Sequence, residues 1–142
     1  MEKTARFDCH PDLPTRFPDL ARIQQNGAMT QPAMISLDES TYHRCLMHTP
    51  GIALVLFSSP ACGTCRIVEQ RLPRAAPEGV SLFRVDVQQA TALARAFDIF
   101  HLPALLLYQD GHFHARLESE ISVQALAVAL DRALASPAQE EP

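Results

Sequence analysis

The sequence predicts an α/β domain with a central mixed β-sheet and helices on both of its faces. Continuously apolar segments such as Ile52–Phe57 are typical of strands that are buried on both sides. They alternate with segments whose apolar residues recur at helical spacing. Near the C-terminal end, Asp110-Gly111 predicts a two-residue hairpin, which adds an antiparallel strand. The predicted order from Ala33 onward is β-α-β-α-β-α-β-β-α.

Residues that start or stop helices bound the elements in the first half of this domain. Asp38 is a suitable N-cap for the first helix, and Pro50-Gly51 ends it. Pro73 is expected to end the second helix, because proline lacks the N–H that a helix interior needs. The predicted elements are a strand at 34–37, a helix from Asp38 to about His48, a strand at 52–57 and a helix from Cys62 to about Leu72.

The second half continues the alternation and ends in a helix capped by Ser122. Before that helix we expect a strand at 80–87, a helix at 91–98, an apolar strand at 102–108 and a returning strand at 112–117. The core-facing positions are Leu93, Ala94 and Phe97 in the third helix and Val123, Leu126, Val128, Leu130 and Leu134 in the last.

Composition divides the chain of 142 residues into one domain with short additions at its ends. Residues 1–32 are rich in proline and weakly periodic, so we interpret them as an extension that is mobile or loosely docked. Residues 33–136 form the domain, and residues 137–142 form an acidic tail that we expect to be solvated.

Charge and hydropathy argue against several classes of partner. A net charge of −4 does not provide the basic face that nucleic-acid binding requires. The N-terminal segment has no apolar stretch typical of a secretory signal, and the longest apolar run is too short to cross a membrane. We therefore expect a cytoplasmic protein without membrane association, in a reducing compartment where cysteines are seldom structural disulfides.

Cys62 and Cys65 lie where a buried strand passes through a short loop into a helix. Residues three apart on a helical turn are neighbours, so these two thiols are close enough for a disulfide. The start of a helix carries unpaired N–H groups and a positive dipole end, and both favour a thiolate. We predict Cys62 as the nucleophile and Cys65 as the thiol that resolves a mixed disulfide, with Gly63 leaving the Cys62 sulfur open to approach.

The same C-x-x-C spacing also builds half of a structural zinc site. A tetrahedral site needs two further ligands, but the sequence has no second C-x-x-C. The other thiols, Cys9 and Cys45, are single, although histidines lie nearby in the sequence. The strand–loop–helix context favours a redox dithiol, and we expect no bound metal.

The segment from Ile52 to Leu134 resembles thioredoxin and its relatives. The matching pieces are the apolar strand leading into SSPACGTC, then FRVDV, ARAFDI, HLPALLLYQDG and the closing helix. The resemblance implies a thioredoxin fold in which Pro103 follows a cis bond and faces the dithiol. It also implies that an extended substrate segment binds at Gly63, Thr64, Leu102 and Pro103, where the backbone starting with Leu102 pairs with it.

Several residues depart from the thioredoxin pattern. Leu56 replaces the buried aspartate that assists proton transfer to the resolving cysteine, and Arg84 replaces its accompanying lysine. Without that carboxylate, deprotonation of Cys65 relies on water or another base, and slower turnover is expected. Four further family residues are replaced. Ala61 takes the place of a tryptophan before the first cysteine, and Thr64 that of a proline between the cysteines. Gln70 takes the place of a proline that kinks the helix, and Ser119 that of a glycine beside the substrate groove.

These features together predict a thiol–disulfide oxidoreductase of thioredoxin type that acts on protein disulfides as a reductant. It requires no cofactor, and a separate reductase would recharge it, because the chain carries no nucleotide-binding glycine fingerprint. Two rival functions stay open. One is a thioredoxin-fold interaction or assembly module with little turnover, which the replaced aspartate, tryptophan and glycine favour. The other is a metal carrier that uses both cysteines of the motif and a histidine.

Two residues near the motif are candidate modulators of the dithiol. His101, two residues before Pro103, would lie near the thiols and would be able to stabilise a thiolate or donate a proton. Arg66 would add positive potential. For both residues the simpler interpretation is an exposed, solvated position.

Other histidines and cysteines have structural interpretations that we prefer. His112 and His114 share one face of the last strand, where solvent-facing alternation explains them better than a metal pair. Cys45 is expected to be a buried, inert thiol of the first helix rather than a regulatory one. Cys9 is expected to be a spectator rather than a third redox thiol.

Overall fold

The computed structural model describes residues 34–142, so the predicted extension and Cys9 lie outside the described residues. The strands are β1 (Ile35–Leu37), β2 (Ile52–Ser58), β3 (Ser81–Asp86), β4 (Ala104–Gln109) and β5 (His112–Leu117). The helices are α1 (Tyr42–Met47), α2 (Gly63–Ala75), α3 (Thr91–Ala96) and α4 (Val123–Ala135).

The five strands form one sheet in the order β1-β3-β2-β4-β5. Strands β1 and β2 both pair with β3 in parallel, whereas β4 runs antiparallel to β2 and β5 antiparallel to β4. The predicted element order and the mixed sheet are therefore confirmed. Strand β2 lies at the centre, which explains why its sequence is continuously apolar.

Alternate residues of β2 enter two separate cores because side chains of a strand point to opposite faces. Ala53, Val55 and Phe57 belong to the core beneath α1 and α3. Leu54 and Leu56 belong to the core beneath α2 and α4. Helices thus cover both faces, as the sequence predicts. None of the helices within residues 34–142 is long and apolar enough to cross a membrane.

The first helix begins later than its sequence signal indicates. Asp38 does not cap α1 directly; instead its carboxylate accepts hydrogen bonds from the N–H groups of Ser40 and Thr41, at 2.9 and 3.0 Å. These bonds hold a turn that leads into the helix at Tyr42. The predicted helix start at Asp38 is wrong, because the side chain satisfies the turn that precedes the helix.

Helix α2 continues past Pro73, contrary to the prediction that proline ends it. Proline removes a single donor from the helix ladder, whereas Leu72 and Ala75 on either side of it are buried in the core shared with α4. The last turn closes through the Ala76 N–H, which donates to the Leu72 carbonyl at 2.9 Å. Apolar packing therefore extends the helix by one turn.

In α4 the predicted apolar face is only partly correct. Leu126 and Leu130 are buried, but Val123 and Val128 are exposed to 62% and 53%. Val128 is two residues from both buried leucines and so lies on the opposite side of the helix, whereas Val123 lies on the side of Leu126 but is the first residue of the helix.

His114 is buried, although the alternation of β5 predicts that it faces solvent. A β-bulge causes the difference: Tyr108 pairs with Phe113 and Leu107 with Ala115, so His114 is the extra residue. Its Nε2 lies 2.7 Å from the carbonyl oxygen of Ala133, at the end of α4. The first part of the predicted tail also contacts this strand, because the Gln139 N–H donates to the His114 carbonyl at 2.7 Å.

Candidate active site

The register of the sheet brings three strand ends together at one edge. Ser58, the last residue of β2, is in register with Asp86, the last residue of β3. Phe57 is in register with Ala104, the first residue of β4. The loop that leaves β2 towards Cys62 and the segment that enters β4 through Pro103 therefore start from neighbouring positions.

The two cysteines of the motif form a disulfide, with their Cα atoms 5.2 Å apart. Cys62 is the N-cap of α2, and its Sγ accepts a hydrogen bond from the Cys65 N–H at 3.1 Å. Cys62 is partly exposed, whereas Cys65 is completely buried. A partner molecule is thus able to reach the first sulfur, and a backbone donor at the helix start is directed at it.

The loop before Cys62 is held by hydrogen bonds from both sides. The Ser59 hydroxyl accepts from the Ala61 N–H at 3.2 Å and from the Gln88 side-chain amide at 3.1 Å. The Cys62 N–H in turn donates to the Ser59 carbonyl at 3.0 Å. These bonds fix the position of the first cysteine relative to the end of β3.

The predicted substrate-binding residues lie around this loop. Gly63 and Thr64 are exposed in the first turn of α2, and a Cβ added at Gly63 would meet no atom within 4 Å. Leu102 and Pro103 are partly buried directly before β4, and the bond between them is cis. The strand register places this pair at the sheet edge from which the dithiol loop leaves.

Within residues 34–142, the side chain of neither candidate modulator forms a hydrogen bond or ion pair with the dithiol or its loop. His101 and Arg66 are both exposed, which fits the simpler interpretation of each. Two apolar side chains nearby in the sequence are also exposed, namely Phe100 at 79% and Ile67 at 49%. Cys45 is buried in the core beneath α1, as predicted, but it is disulfide-bonded, so the prediction of an inert thiol is wrong.

A polar cluster next to the dithiol was not singled out by sequence reasoning. The Ser58 hydroxyl donates to the Glu69 carboxylate at 2.7 Å, and Arg84 forms an ion pair with the same carboxylate at 3.2 Å. Arg84 also donates to the Ser36 hydroxyl at 3.0 Å. The sequence spacing does point to Glu69, because it follows Cys65 by four residues and so lies one helical turn away from it.

Metal ligands are not grouped in the described part of the chain. Within residues 34–142, no group of three or more histidine, cysteine, aspartate and glutamate side chains is arranged to hold a metal ion. The histidines that neighbour Cys45 in the sequence, His43 and His48, are exposed on the helix surface.

A mixed five-stranded sheet with a cysteine pair at the start of the helix after its central strand defines a dithiol protein of the thioredoxin fold. The family model for thioredoxin matches residues 33–132. The chain therefore belongs to the thioredoxin family, and the pair Cys62–Cys65 is its redox-active centre.

Individual relatives agree with this assignment. Thioredoxin of Chlamydia pneumoniae is 29% identical over 69 residues, which cover 47% of this chain and 68% of that protein. Two solved structures of human ERp44, one of them a zinc-bound form, superpose with a TM-score of 0.60 at 23% and 22% identity. They cover 70% and 72% of this chain, which spans 30% of the length of each. At this identity the likeness to ERp44 shows the fold alone.

Proposed function

We propose that the protein is a thiol–disulfide oxidoreductase that reduces disulfides in protein substrates through Cys62 and Cys65. The observation that carries the proposal is the asymmetry of the pair, in which one sulfur is partly exposed at a helix start and the other is buried one turn inside. Such an asymmetry assigns different roles to the two cysteines. Membership of the thioredoxin family supports the same chemistry.

The proposed reaction has two exchange steps. In the reduced protein, the Cys62 thiolate attacks one sulfur of the substrate disulfide, and the other substrate sulfur leaves as a thiolate and takes up a proton. The Cys65 thiolate then attacks the Cys62 sulfur, so the mixed disulfide breaks and the second substrate sulfur leaves reduced. The product is the Cys62–Cys65 disulfide, and a separate reductase returns the two electrons.

The hydrogen bond from the Cys65 N–H supports the first step. It is directed at the Cys62 sulfur, and hydrogen bonds to charged groups contribute about 1.5–3 kcal/mol. The substrate would lie as an extended segment against the backbone at Leu102 and Pro103, at the sheet edge beside the dithiol loop. Gly63, which has no side chain, and the exposed Thr64 leave room for it.

Two serine variants test the assignment of roles. Cys62→Ser is expected to abolish reduction of a protein disulfide, whereas Cys65→Ser is expected to accumulate mixed disulfides that a non-reducing gel resolves. The double serine variant, which lacks both thiols, provides the baseline once its circular dichroism spectrum matches that of the native chain. Reduction by the native chain that is no faster than this baseline would reject the proposal.

That negative result would favour the rival function, an interaction module with little turnover. Its specific support is Leu56, which occupies the position of the family aspartate and is completely buried in the core beneath α2 and α4. In that case the double serine variant should bind the same partners as the native chain. A loss of binding in the double serine variant would instead speak against a pure binding role.

A further inference from the structure

The Glu69 carboxylate lies on the same face of the sheet as the missing family aspartate, but it comes from the helix. Leu56 and Ser58 are two residues apart on β2, so their side chains point to the same face, the one that α2 covers. Ser58, which is 2% exposed, donates its hydroxyl hydrogen to Glu69. The Glu69 carboxylate of α2 thus lies beside Ser58, which is two residues after the apolar Leu56 on β2.

The resolving thiol needs a proton acceptor because of its surroundings. Cys65 is completely buried, and burial disfavours the charged thiolate that must attack the mixed disulfide. Glu69 follows it by one helical turn, a spacing at which Cβ atoms lie about 5–6 Å apart. A carboxylate at this distance is one of the side chains that serve as general bases.

The surrounding cavity gives the carboxylate access to water. It has a volume of about 420 Å³ and its lining includes Pro60, two residues before Cys62, together with Ser58, Glu69 and Arg84. Glu69 itself is 27% exposed. A water molecule in such a space is able to carry a proton over the remaining distance, because general bases act either directly or through one water.

We propose that Glu69 accepts the proton of Cys65 during resolution of the mixed disulfide, in place of the family's strand aspartate. In this step the Cys65 S–H bond breaks and the proton passes to the Glu69 carboxylate. The thiolate forms the Cys62–Cys65 bond, and the electron pair of the broken mixed disulfide leaves with the substrate sulfur. The inference rests on the proposed function, because it concerns the second exchange step of that reaction.

Other charged groups also face this carboxylate. Arg84 and Asp86 approach from β3 and Asp38 from the turn after β1, and all three line the cavity. Asp86 accepts a hydrogen bond from the Gln88 N–H at 2.9 Å, and Asp38 accepts those of its own turn. Of the three carboxylates, Glu69 is the one on the same helix as Cys65, and it is the closest to Cys65 in the sequence.

A chromogenic aromatic disulfide separates the two exchange steps in a single rapid-mixing experiment. The reduced protein releases one coloured thiolate when Cys62 attacks and a second one when Cys65 resolves the mixed disulfide. Glu69→Gln should leave the first phase unchanged and slow the second about tenfold or more at neutral pH, since general base catalysis contributes about a hundredfold or more where no other acceptor is at hand. The second-phase rates of variant and native chain should converge only in alkali well above about pH 8.5, the ordinary thiol pKa, because burial of Cys65 disfavours its thiolate.

Two control variants distinguish proton transfer from a merely structural role. Arg84→Met removes the ion pair but keeps the carboxylate, so its second phase should stay within about twofold of the native rate. Asp86→Asn removes the competing carboxylate of β3 and should also leave this phase unchanged. Equal slowing by Arg84→Met, slowing by Asp86→Asn in place of Glu69→Gln, or an unchanged pH profile in Glu69→Gln would each overturn the inference.

The first phase keeps the two proposals separate. If Cys62 fails to release the first coloured thiolate, the proposed oxidoreductase function itself fails. If the first phase is normal and the second does not depend on Glu69, the function stands and only the role of Glu69 is rejected.

Discussion

Replacing Gly111 by alanine tests how closely the β4–β5 hairpin packs against helix α1. Gly111 has a φ of 85° and follows Asp110 with a φ of 52°, which is the pattern of a tight two-residue hairpin turn. A Cβ added at Gly111 would lie 3.0 Å from the Leu46 carbonyl oxygen and 3.1 Å from the Met47 Cα. Both atoms belong to backbone, so the hairpin or the end of the helix has to move.

The expected loss of free energy of unfolding has two parts, and substitution of a second glycine with a similar φ separates them. The left-handed conformation costs an alanine about 1–2 kcal/mol, and overpacking against backbone costs about 1–3 kcal/mol more. Gly79 has a similar φ of 87°, but a Cβ added there would meet no atom within 4 Å. Gly79→Ala should therefore lose only the first part, and both variants share the same gain from a less flexible unfolded chain.

Urea unfolding followed by circular dichroism measures the difference. We expect the free energy of unfolding of Gly111→Ala to fall about 1–3 kcal/mol further than that of Gly79→Ala, with unchanged m-values. Equal losses in the two variants would show that the hairpin does not press on α1, and the reasoning from the close contacts would be refuted.

Three further predictions concern acid, alkali and the core. Burial raises the pKa of both Tyr42 and Tyr108, whose hydroxyls lie 2.9 Å apart. Their contribution to stability is present below about pH 10 and is lost as the pH rises beyond it. Because they are the two tyrosines of the chain, tyrosinate absorbance should appear together with unfolding; ionisation in a chain that still gives a native circular dichroism spectrum would contradict this. Hydrogen bonds from Ser40 lower the pKa of Asp38, so its contribution is present above about pH 4 and is lost as the pH falls through the lowered value. Asp38→Asn should accordingly show a weaker dependence of unfolding on pH in acid, and an unchanged acid profile would rule out this contribution. Leu72→Ala should lower the free energy of unfolding by about 2–5 kcal/mol, whereas Val128→Ala on the exposed side of α4 should change it by about 0.5 kcal/mol or less; similar losses would mean that the assignment of buried and exposed positions is wrong.

Local signals in the sequence determined the order of the elements and the spacing of the two cysteines. The central strand can be predicted from the sequence because a strand buried on both faces needs apolar residues at successive positions, as around Val55. The hairpin at Asp110-Gly111 and the helix cap at Ser122 can be predicted for a similar reason, because turn and cap residues determine the conformation of backbone within a few positions of themselves. The position of Cys62 at the start of a helix follows from the same kind of short-range rule.

Tertiary structure alone decided which faces of these elements are covered. The bulge that turns His114 inward depends on pairing with β4, and the exposure of Val128 depends on where α4 meets the sheet. The bonds that Glu69 makes with Ser58 and Arg84 join residues 11 and 15 positions apart on different elements. Helix periodicity fixes only that Glu69 lies one turn after Cys65. The packing of the helix on the sheet determines that its carboxylate meets Ser58 and Arg84, because contacts between elements depend on how those elements pack rather than on local spacing.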